Sequence, residues 1–286
     1  AHLEHFSHAR ERAEPGYYAV DLDDSHVHTE LTATARAGLG QFTFPASDAA
    51  QILVKAGASL AGNSHSSVQV LGDDLVVGSA TTGWFCGEGG NTYTVYFAIQ
   101  FEQPFIAHGA WDGSKTMPGA DSASRDRPKD GYQARQRPGA GAWLTFDTRK
   151  QQTVRMKVAL SWTGINGARL NLSEIPGWDI ERVRHAARAR WNKVLGRIRV
   201  GGGSKAERTM FYTALYHALL HPNTFNDVDG RYIGFDGKIH AVPRNHVQYA
   251  NFSSWDTYRS LAPLQGWLYP REAADMAQSL VNDASQ

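Results

Sequence analysis

A five-residue segment near the end of the chain, Trp255-Asp256-Thr257-Tyr258-Arg259, combines side chains that can bind a polar ligand. If the segment is helical, Asp256 and Arg259 lie three residues apart on one face, within reach of each other. A carboxylate held by an arginine keeps a low pKa and accepts hydrogen bonds from neighbouring hydroxyls, such as those of a sugar. It does not suit a general acid, which needs a raised pKa. The alternative is a structural ion pair beside a buried tryptophan.

A glycine-rich segment, residues 81–90, places Trp84, Phe85 and Cys86 together. Glycine-rich loops at the ends of strands let a ligand approach the backbone closely, so an exposed Trp84 would offer a sugar a flat apolar surface. The alternative is a turn in which Trp84 folds back onto the core, since aromatic side chains are usually buried. Cys86 has no base at an indicative spacing, so inert packing is its alternative to a ligand contact.

Two histidine pairs and one acidic turn resemble metal-binding motifs without completing them. His26 and His28 have the spacing of neighbours on a strand, and His217 and His221 that of neighbours on a helix. Two histidines do not complete a zinc site, and neither pair carries the glutamate of a metalloprotease helix. Residues 227–232 begin like a calcium loop but lack its acidic spacing and terminal glutamate, which favours a turn before a short hairpin. Metal ligands stay unknown at this stage.

Composition excludes several classes of function. The 286 residues carry a net charge of +1, which gives no basis for binding nucleic acid or an anionic membrane. A single cysteine rules out an internal disulfide framework and a cysteine-based zinc cluster. No stretch of about 18 apolar residues is present, so the sequence predicts no membrane span. The chain opens without an initiator methionine or an apolar leader, which we interpret as a mature secreted protein or an internal fragment.

The first half of the sequence must supply strands that position the glycine-rich segment. Short apolar or alternating stretches between Gly, Asn and Asp turns predict an antiparallel β-sandwich. Residues 28–45 predict two strands around a turn at Gly38–Gly40, with Leu31 on a shared apolar face. Residues 112–141, rich in Gly, Pro and charged side chains, predict a long surface loop. The other predicted strands are Tyr17–Leu22, Gln51–Lys55, Leu75–Val77, Tyr93–Phe101, Ala142–Phe146 and Thr153–Trp162.

The second half changes to an apolar repeat of three and four residues, which predicts helices. Residues 178–200 predict a bridging helix with Asp179 at its start, where the helix dipole favours a negative charge. The spacing of Ser204 and Glu207 predicts a capping box that begins a second helix. Arg271–Ser285 predicts a further helix, for which the sequence offers no later packing partner.

Seven short motifs occur in a fixed order along almost the whole chain. They are Glu14-Pro15-Gly16-Tyr17-Tyr18, Glu30-Leu31-Thr32-Ala33-Thr34 with Arg36 and Gly38, Phe42-Thr43-Phe44-Pro45, Thr92-Tyr93-Thr94-Val95-Tyr96-Phe97, Phe211-Tyr212-Thr213-Ala214-Leu215-Tyr216-His217, Asp227 with Gly230-Arg231-Tyr232, and Phe252-Ser253-Ser254-Trp255-Asp256-Thr257-Tyr258-Arg259. In this order the sequence resembles the calcium-dependent α-mannosidases of glycoside hydrolase family 92. The order is specific, whereas any one motif alone is not.

The resemblance implies an α+β multi-domain fold, in which an antiparallel β-sandwich is joined by linker helices to an (α/α)6 barrel. Here it implies a sandwich over residues 1–176, a linker helix over 177–203 and the first part of the barrel over 204–286. It implies hydrolysis of terminal α-linked mannose from mannosides or N-glycans with inversion, and Ca²⁺ as cofactor. It also implies a secreted, periplasmic or cell-surface protein of a bacterium.

The resemblance further assigns residues to a sugar pocket. Asp256 and Arg259 match the motif that lines the pocket for the terminal sugar, and Trp84, Phe85 and Cys86 match the sandwich loop that reaches over it. Family members are much longer than this chain, and their acid, base and most calcium ligands lie in a later part of the barrel. We therefore expect no catalytic acid or base here. The expected partners are a mannose-containing glycan and the remainder of the polypeptide, or a complementary chain.

Two alternative functions stay open on the sequence alone. The same elements would suit a non-catalytic mannose-binding or structural module. Within the enzyme class, some family members act on mannosyl-phosphate-mannose, and the basic stretch of residues 112–141 is not tied to any phosphate subsite. The mass of the intact protein, together with an assay for mannose release, would separate the binding module from the enzyme.

Overall fold

The structure is a computed structural model that describes residues 3–57, 59–83, 91–126 and 139–286. The strands of the first half form two antiparallel sheets, and the second half is mainly helical. The expected α+β arrangement of a sandwich followed by helices is therefore confirmed. The domain boundaries at residues 176 and 203 stay predictions.

The first half of the described chain contains thirteen strands. They are β1 (Phe6–Glu14), β2 (Tyr17–Leu22), β3 (His28–Ala33), β4 (Ala37–Thr43), β5 (Ala50–Lys55), β6 (His65–Leu71), β7 (Leu75–Thr82), β8 (Tyr93–Phe101), β9 (Ala107–Asp112), β10 (Lys115–Pro118), β11 (Ser122–Asp126), β12 (Ala140–Phe146) and β13 (Thr153–Ser161). The larger sheet has the order β1-β2-β3-β4-β13-β8-β7-β6-β11, and the smaller has the order β10-β9-β12-β5. Because β13 pairs with β4 and β8, the chain leaves the sandwich from the centre of the larger sheet.

The main apolar core lies between the two sheets. Phe101 from the larger sheet and Phe146 from the smaller are fully buried, with ring centroids 5.2 Å apart. Leu144 and Val154 are also completely buried in this cluster. Burial of each such side chain contributes roughly 1.5–3 kcal/mol to stability. The core thus fixes the middle of β13 and, through it, the position at which the helical half begins.

Two local strand predictions are wrong. Gly38 and Gly40 lie inside β4, and the turn falls at residues 34–36. Gly40 is required for packing within the strand, because a Cβ there would lie 2.9 Å from the Phe42 ring. Leu31 is 39% exposed, so it does not face the core. Alternation alone could not decide which face of this strand is covered.

The predicted long loop over residues 112–141 is also wrong in part. Residues 115–118 form β10 and residues 122–126 form β11, each at the edge of a sheet. Edge strands are short and polar because one side of the strand has no neighbour, and this makes them resemble loops in sequence. Residues 127–138 lie outside the described residues.

The helices of the described second half begin directly after β13. They are α1 (Ile165–Asn171), α2 (Ile180–Leu195), α3 (Lys205–Ala218), α4 (Ser254–Thr257), α5 (Leu261–Leu268) and α6 (Pro270–Ala284). Asp179 caps α2 by accepting a hydrogen bond from the Arg182 amide at 3.0 Å, and Ser204 and Glu207 form a capping box at the start of α3. Both predicted helix starts are confirmed. Within the described residues, no helix has the length and apolar character needed to cross a membrane.

Two small strand pairs connect α3 to α4. β14 (Asn223–Thr224) pairs with β17 (Tyr249–Ala250), and β15 (Arg231–Ile233) pairs with β16 (Ile239–Ala241). The second pair confirms the predicted turn and hairpin that follow residue 227. The first pair brings the segment after α3 beside the segment that precedes α4.

A close contact between the β1–β2 turn and α2 joins the sandwich to the bridging helix. Gly16 has φ +85°, and a Cβ at this position would lie 2.8 Å from the Ala187 Cβ. The Arg184 guanidinium lies 3.8 Å from the centre of the Tyr17 ring. The Tyr17 hydroxyl donates to Glu30 at 2.6 Å, and burial together with this hydrogen bond raises the pKa of Tyr17 to about 12. The turn therefore requires glycine both for its conformation and for its packing.

Gly16→Ala is expected to lower the free energy of unfolding by about 2–3 kcal/mol, because the new methyl group meets positive φ and overpacks the contact with α2. Urea unfolding followed by tryptophan fluorescence measures this change. Gly177→Ala is the matched control, since a Cβ at Gly177 meets no atom within 4 Å. Equal stability of the two variants would contradict the close contact.

Candidate functional site

The predicted ligand-binding segment forms a single exposed helical turn, α4. The amides of Asp256 and Thr257 donate to the Ser253 carbonyl at 3.0 and 3.1 Å, and the Thr257 hydroxyl donates to the same oxygen at 3.0 Å. The Ser253 hydroxyl donates to the Asp256 carboxylate. The turn thus holds the carboxylate from its own first residue, and among the described residues the other Asp256 oxygen has no protein partner.

The predicted pair of Asp256 and Arg259 is not formed. The described ion pairs include none between these two side chains. The Arg259 guanidinium instead donates to the Tyr258 hydroxyl at 2.6 Å and lies 5.2 Å from the centre of the Tyr258 ring. The reason is that α4 ends at Thr257, so Arg259 does not continue the helix face that carries Asp256. Ser253 takes the place that was expected for the arginine.

The surface around α4 presents both apolar and polar groups to solvent. Trp255 is 84% exposed, Tyr258 is 56% exposed, and Asp256 is exposed as well. The alternative of a structural ion pair beside a buried tryptophan is therefore wrong. An aromatic face beside a carboxylate can stack on the apolar face of a sugar while accepting hydrogen bonds from its hydroxyls.

The segment leading into α4 is fixed by the first small strand pair. Asn251 adopts φ +66°, and its side-chain amide donates to the Asn223 side-chain oxygen at 2.6 Å. Asn223 itself pairs with Ala250 across β14 and β17. The position of α4 therefore depends on where residues 223–227 lie.

The other predicted binding residues, Trp84, Phe85 and Cys86, lie outside the described residues. The strands on either side are described: β7 ends at Thr82 and β8 begins at Tyr93. At Gly83 a Cβ would lie 2.7 Å from the Thr92 backbone, so the two flanking strands approach closely there. The assignment of the three residues to a ligand pocket stays a prediction.

A buried carboxylate that the sequence analysis did not assign to a site, Asp227, lies between the two halves of the chain. It is 1% exposed, and it accepts hydrogen bonds from the hydroxyls of Ser161 at 2.9 Å and Thr163 at 2.5 Å. The Asn171 side-chain amide donates to its other oxygen at 2.7 Å. A Cβ at Gly167 would lie 2.3 Å from the carboxylate. The motif Asp227-x-x-Gly230 was visible in the sequence, but its spacing gave no sign of burial.

Arg36 makes a second link between the halves. Its guanidinium donates to the Asn226 carbonyl and to Glu174, the latter at 2.7 Å. Glu174 also accepts from the Thr34 hydroxyl at 2.5 Å and from the Arg36 amide at 2.9 Å. Burial acts to raise the pKa of Glu174, but these hydrogen bonds and the arginine charge outweigh burial and lower the pKa. The pair therefore stabilises the ionised glutamate in the folded state.

Glu174→Gln is expected to lower the free energy of unfolding at pH 7 by about 2 kcal/mol, as loss of charged hydrogen bonds does. A lowered pKa means that Glu174 contributes stability above the ordinary value of 4.5 and loses it as the pH falls through the folded-state pKa. The difference from wild type should therefore shrink as the pH falls below 4.5. Urea titrations across this range measure it, with the exposed Glu181→Gln as control. A pH-independent difference would exclude the lowered pKa.

The described residues do not form a metal centre. No three His, Cys, Asp or Glu side chains converge in this part of the chain. Calcium takes six to eight oxygen ligands, usually including several carboxylates, so the described residues do not fit the expected Ca²⁺ site. A calcium ion would need ligands from other residues.

Two clefts of the described surface lie away from α4. One, of about 300 Å³, is lined by residues 163–167 together with Tyr96, Arg231 and Ile239. The other, of about 880 Å³, lies between residues 13–15 and helices α2 and α3. The α4 residues line neither of these clefts. The α4 surface is therefore an open wall in this part of the chain.

Comparisons with known proteins cover both halves of the chain. The family model described as "Glycosyl hydrolase family 92 N-terminal domain" matches residues 2–161, and that of the "Glycosyl hydrolase family 92 catalytic domain" matches residues 167–286. An uncharacterized secreted glycosidase from Arthroderma benhamiae is 27% identical over 234 residues, which are 75% of this chain and 29% of that protein.

Solved structures extend this similarity. The family GH92 α-mannosidase BT3965 from Bacteroides thetaiotaomicron, also determined in complex with mannoimidazole, is 29% identical with a TM-score of 0.84. The similarity to the first of these two structures covers 99% of this chain and 37% of the BT3965 chain. The GH92 inverting mannosidase BT2199 from the same organism is 27% identical with a TM-score of 0.83, covering 98% of this chain and 36% of its own. The chain thus spans about a third of the length of these relatives.

Proposed function

The chain belongs to glycosyl hydrolase family 92, and on that premise we propose that the full-length protein is a glycosidase that removes terminal α-linked mannose with inversion. The mannosidases BT3965 and BT2199, which the chain resembles over nearly its whole length, support this substrate and this stereochemistry. Because the chain spans about a third of these relatives, the activity is a proposal for the complete protein. The secreted relative likewise supports a secreted protein.

The observation that carries the proposal is the exposed α4 turn. Asp256 has one carboxylate oxygen held by Ser253 and one that has no partner among the described residues, and Trp255 next to it is exposed. We assign Asp256 to the hydroxyls of the terminal sugar, and Trp255 to the apolar face of the sugar. Arg259 contributes to the same wall through its contact with Tyr258. We also assign Trp84, Phe85 and Cys86 to the sugar pocket, on the family resemblance alone, since they lie outside the described residues.

No acid or base is assigned within the described residues. An inverting glycosidase needs two carboxyl groups roughly 6.5–9.5 Å apart, one to protonate the leaving oxygen and one to activate water. Asp256 is held by a hydroxyl donor in solvent, which suits a hydrogen-bond acceptor and not a general acid. Calcium, when bound by other residues, would coordinate sugar hydroxyls. In this proposal the described chain binds and orients the sugar, and it does not cut the bond.

Proton NMR of the full-length protein acting on an aryl α-mannoside tests the proposal. Free β-mannose as the first product, before mutarotation, is the expected result for inversion. Release of α-mannose first would contradict inversion. Tight binding of mannose with no release would favour the non-catalytic module, and release only from mannosyl-phosphate-mannose would favour the phosphodiester substrate.

A further inference from the structure

We propose that Asn226 and Asp227 are positioning residues, which set the location of the sugar-binding turn α4 relative to the β-sandwich. This inference rests on the proposed function, because it concerns the wall that carries Asp256. The two residues are 4% and 1% exposed, and they lie at the point where the helical half touches the end of β13.

The Asp227 carboxylate attaches the helical half to the sandwich side. Ser161 is the last residue of β13, Thr163 lies two residues beyond it, and Asn171 ends α1. All three donate to the Asp227 carboxylate, and Asn171 also accepts from the Val228 amide at 2.9 Å. No lysine, arginine or histidine pairs with this carboxylate in the part of the chain that the structure describes. Uncharged donors at fixed positions therefore hold the Asp227 carboxylate and determine its position.

Asn226 connects this attachment to the strand that precedes α4. The Asn226 side-chain oxygen accepts from the Gln248 amide at 2.9 Å, and the Phe225 amide donates to the Gln248 carbonyl at 2.8 Å. Gln248, 1% exposed, is held in turn by α6, where its side-chain amide donates to Asp283 at 3.0 Å. The register continues through β14 and β17 to Asn251, two residues before Ser253. These hydrogen bonds thus connect residues 223–226 to residues 248–251, which lead into α4.

Three packed aromatic rings support the same link independently. Trp162 directly follows β13, and its ring lies 5.6 Å from Tyr93 and 5.3 Å from Phe225, centre to centre. Tyr93 begins β8, and Phe225 precedes the Asn226–Asp227 pair. Aromatic pairs at such distances stabilise the contact beyond the burial of their surface. The sandwich therefore holds residues 225–227 by hydrogen bonds on one side and by ring packing on the other.

A displacement of α4 would change the binding of the sugar and not the bond-breaking step. Asp256 lies on a one-turn helix in solvent, so its own surroundings do not fix it against the sandwich. A displacement of about 1 Å in such a wall can lower kcat/KM by up to about 100-fold. Weakening the Asp227 attachment should therefore raise KM for the sugar, because the shifted carboxylate no longer meets its hydroxyls.

Asp227→Asn in the full-length protein tests the inference, since it keeps the size of the side chain but places an amide among donors. We expect kcat/KM for an aryl α-mannoside to fall by about 10- to 100-fold, mostly through KM. Thr163→Val, which removes one donor from the sandwich side, should give a smaller change in the same direction. The double variant should lose less than the sum, because both act on one contact. Asp229→Asn is the matched control, as Asp229 is exposed and, among the described residues, its side chain bonds only Arg231 in its own turn.

A substrate-free measurement distinguishes this inference from the proposed function. Hydrogen–deuterium exchange of the peptide over residues 248–259 should quicken in Asp227→Asn, with exchange over β13 and in the Asp229→Asn control unchanged. A lower Tm with unchanged KM and unchanged exchange over 248–259 would show a purely structural carboxylate and overturn the positioning role. Failure of the wild-type protein to hydrolyse mannosides, with quickened exchange in the variant, would overturn the proposed function and leave the coupling of Asp227 to α4 supported.

Discussion

Asp256→Ala in the full-length protein is expected to lower kcat/KM for an aryl or disaccharide α-mannoside by about 10²- to 10⁴-fold. The carboxylate is proposed to accept hydrogen bonds from two sugar hydroxyls, and each charged hydrogen bond contributes about 1.5–3 kcal/mol. Loss of both, at about 1.4 kcal/mol for each tenfold change in rate, gives the stated range. Steady-state kinetics below the unfolding temperature of the variant measures the effect.

Two further variants sharpen this prediction. Ser253→Ala removes the hydroxyl that donates to Asp256, so it should give an intermediate loss, because the carboxylate remains but is no longer held. Glu272→Ala removes an exposed carboxylate on α6 and should leave kcat/KM within about twofold, since isolated surface charges contribute little. Near-normal turnover by Asp256→Ala would exclude the assigned role.

Removal of calcium from the full-length protein is expected to abolish activity. The family resemblance implies that calcium binds the hydroxyls of the terminal mannose, and the carboxylate and aromatic groups at α4 cannot replace a hard divalent cation on those oxygens. Exhaustive treatment with EDTA followed by dialysis should leave mannoside hydrolysis at background. Added Ca²⁺ should restore it, while Mg²⁺ should not, because Mg²⁺ demands a smaller octahedral site.

Retention of the tertiary structure after chelation is the control for this experiment. Near-ultraviolet circular dichroism of the EDTA-treated protein should match the untreated protein, since the described residues form their sheets and core with no converging metal ligands among them. Full activity after thorough chelation would refute the calcium mechanism. Loss of the tertiary signal together with activity would assign calcium to folding instead of sugar binding.

The elements that the sequence predicted well are those that local physics decides. The capping box of Ser204 and Glu207 needs only residues three apart, and the cap at Asp179 needs only its own helix. The strand Tyr93–Phe101 was predicted with both ends correct, because its β-branched and aromatic residues suit a strand buried between neighbours. These signals lie within a few residues, so no tertiary information was required.

The errors fall where a neighbour distant in sequence decides the outcome. Gly38 and Gly40 looked like a turn, but both lie inside β4, where the Phe42 ring leaves little room for a side chain at Gly40. The edge strands β10 and β11 carry few apolar side chains, so they could not be told from a loop before their pairing was known. The spacing of Asp256 and Arg259 predicted an ion pair, but the helix proved to be one turn long.

Ordered motifs and short-range patterns were enough to predict the family, the succession of strands and helices, and the segment that carries Asp256. The contact of Ser253 with Asp256, the exposure of Trp255 and the burial of Asp227 among Ser161, Thr163 and Asn171 became known from the folded structure. Burial and hydrogen bonding of a side chain depend on residues far away in sequence, such as Ser161 for Asp227, 66 positions away, and Asn226 for Arg36, 190 positions away. These contacts form only in the folded protein, where β13 lies at the centre of the larger sheet and its end lies beside the helical half.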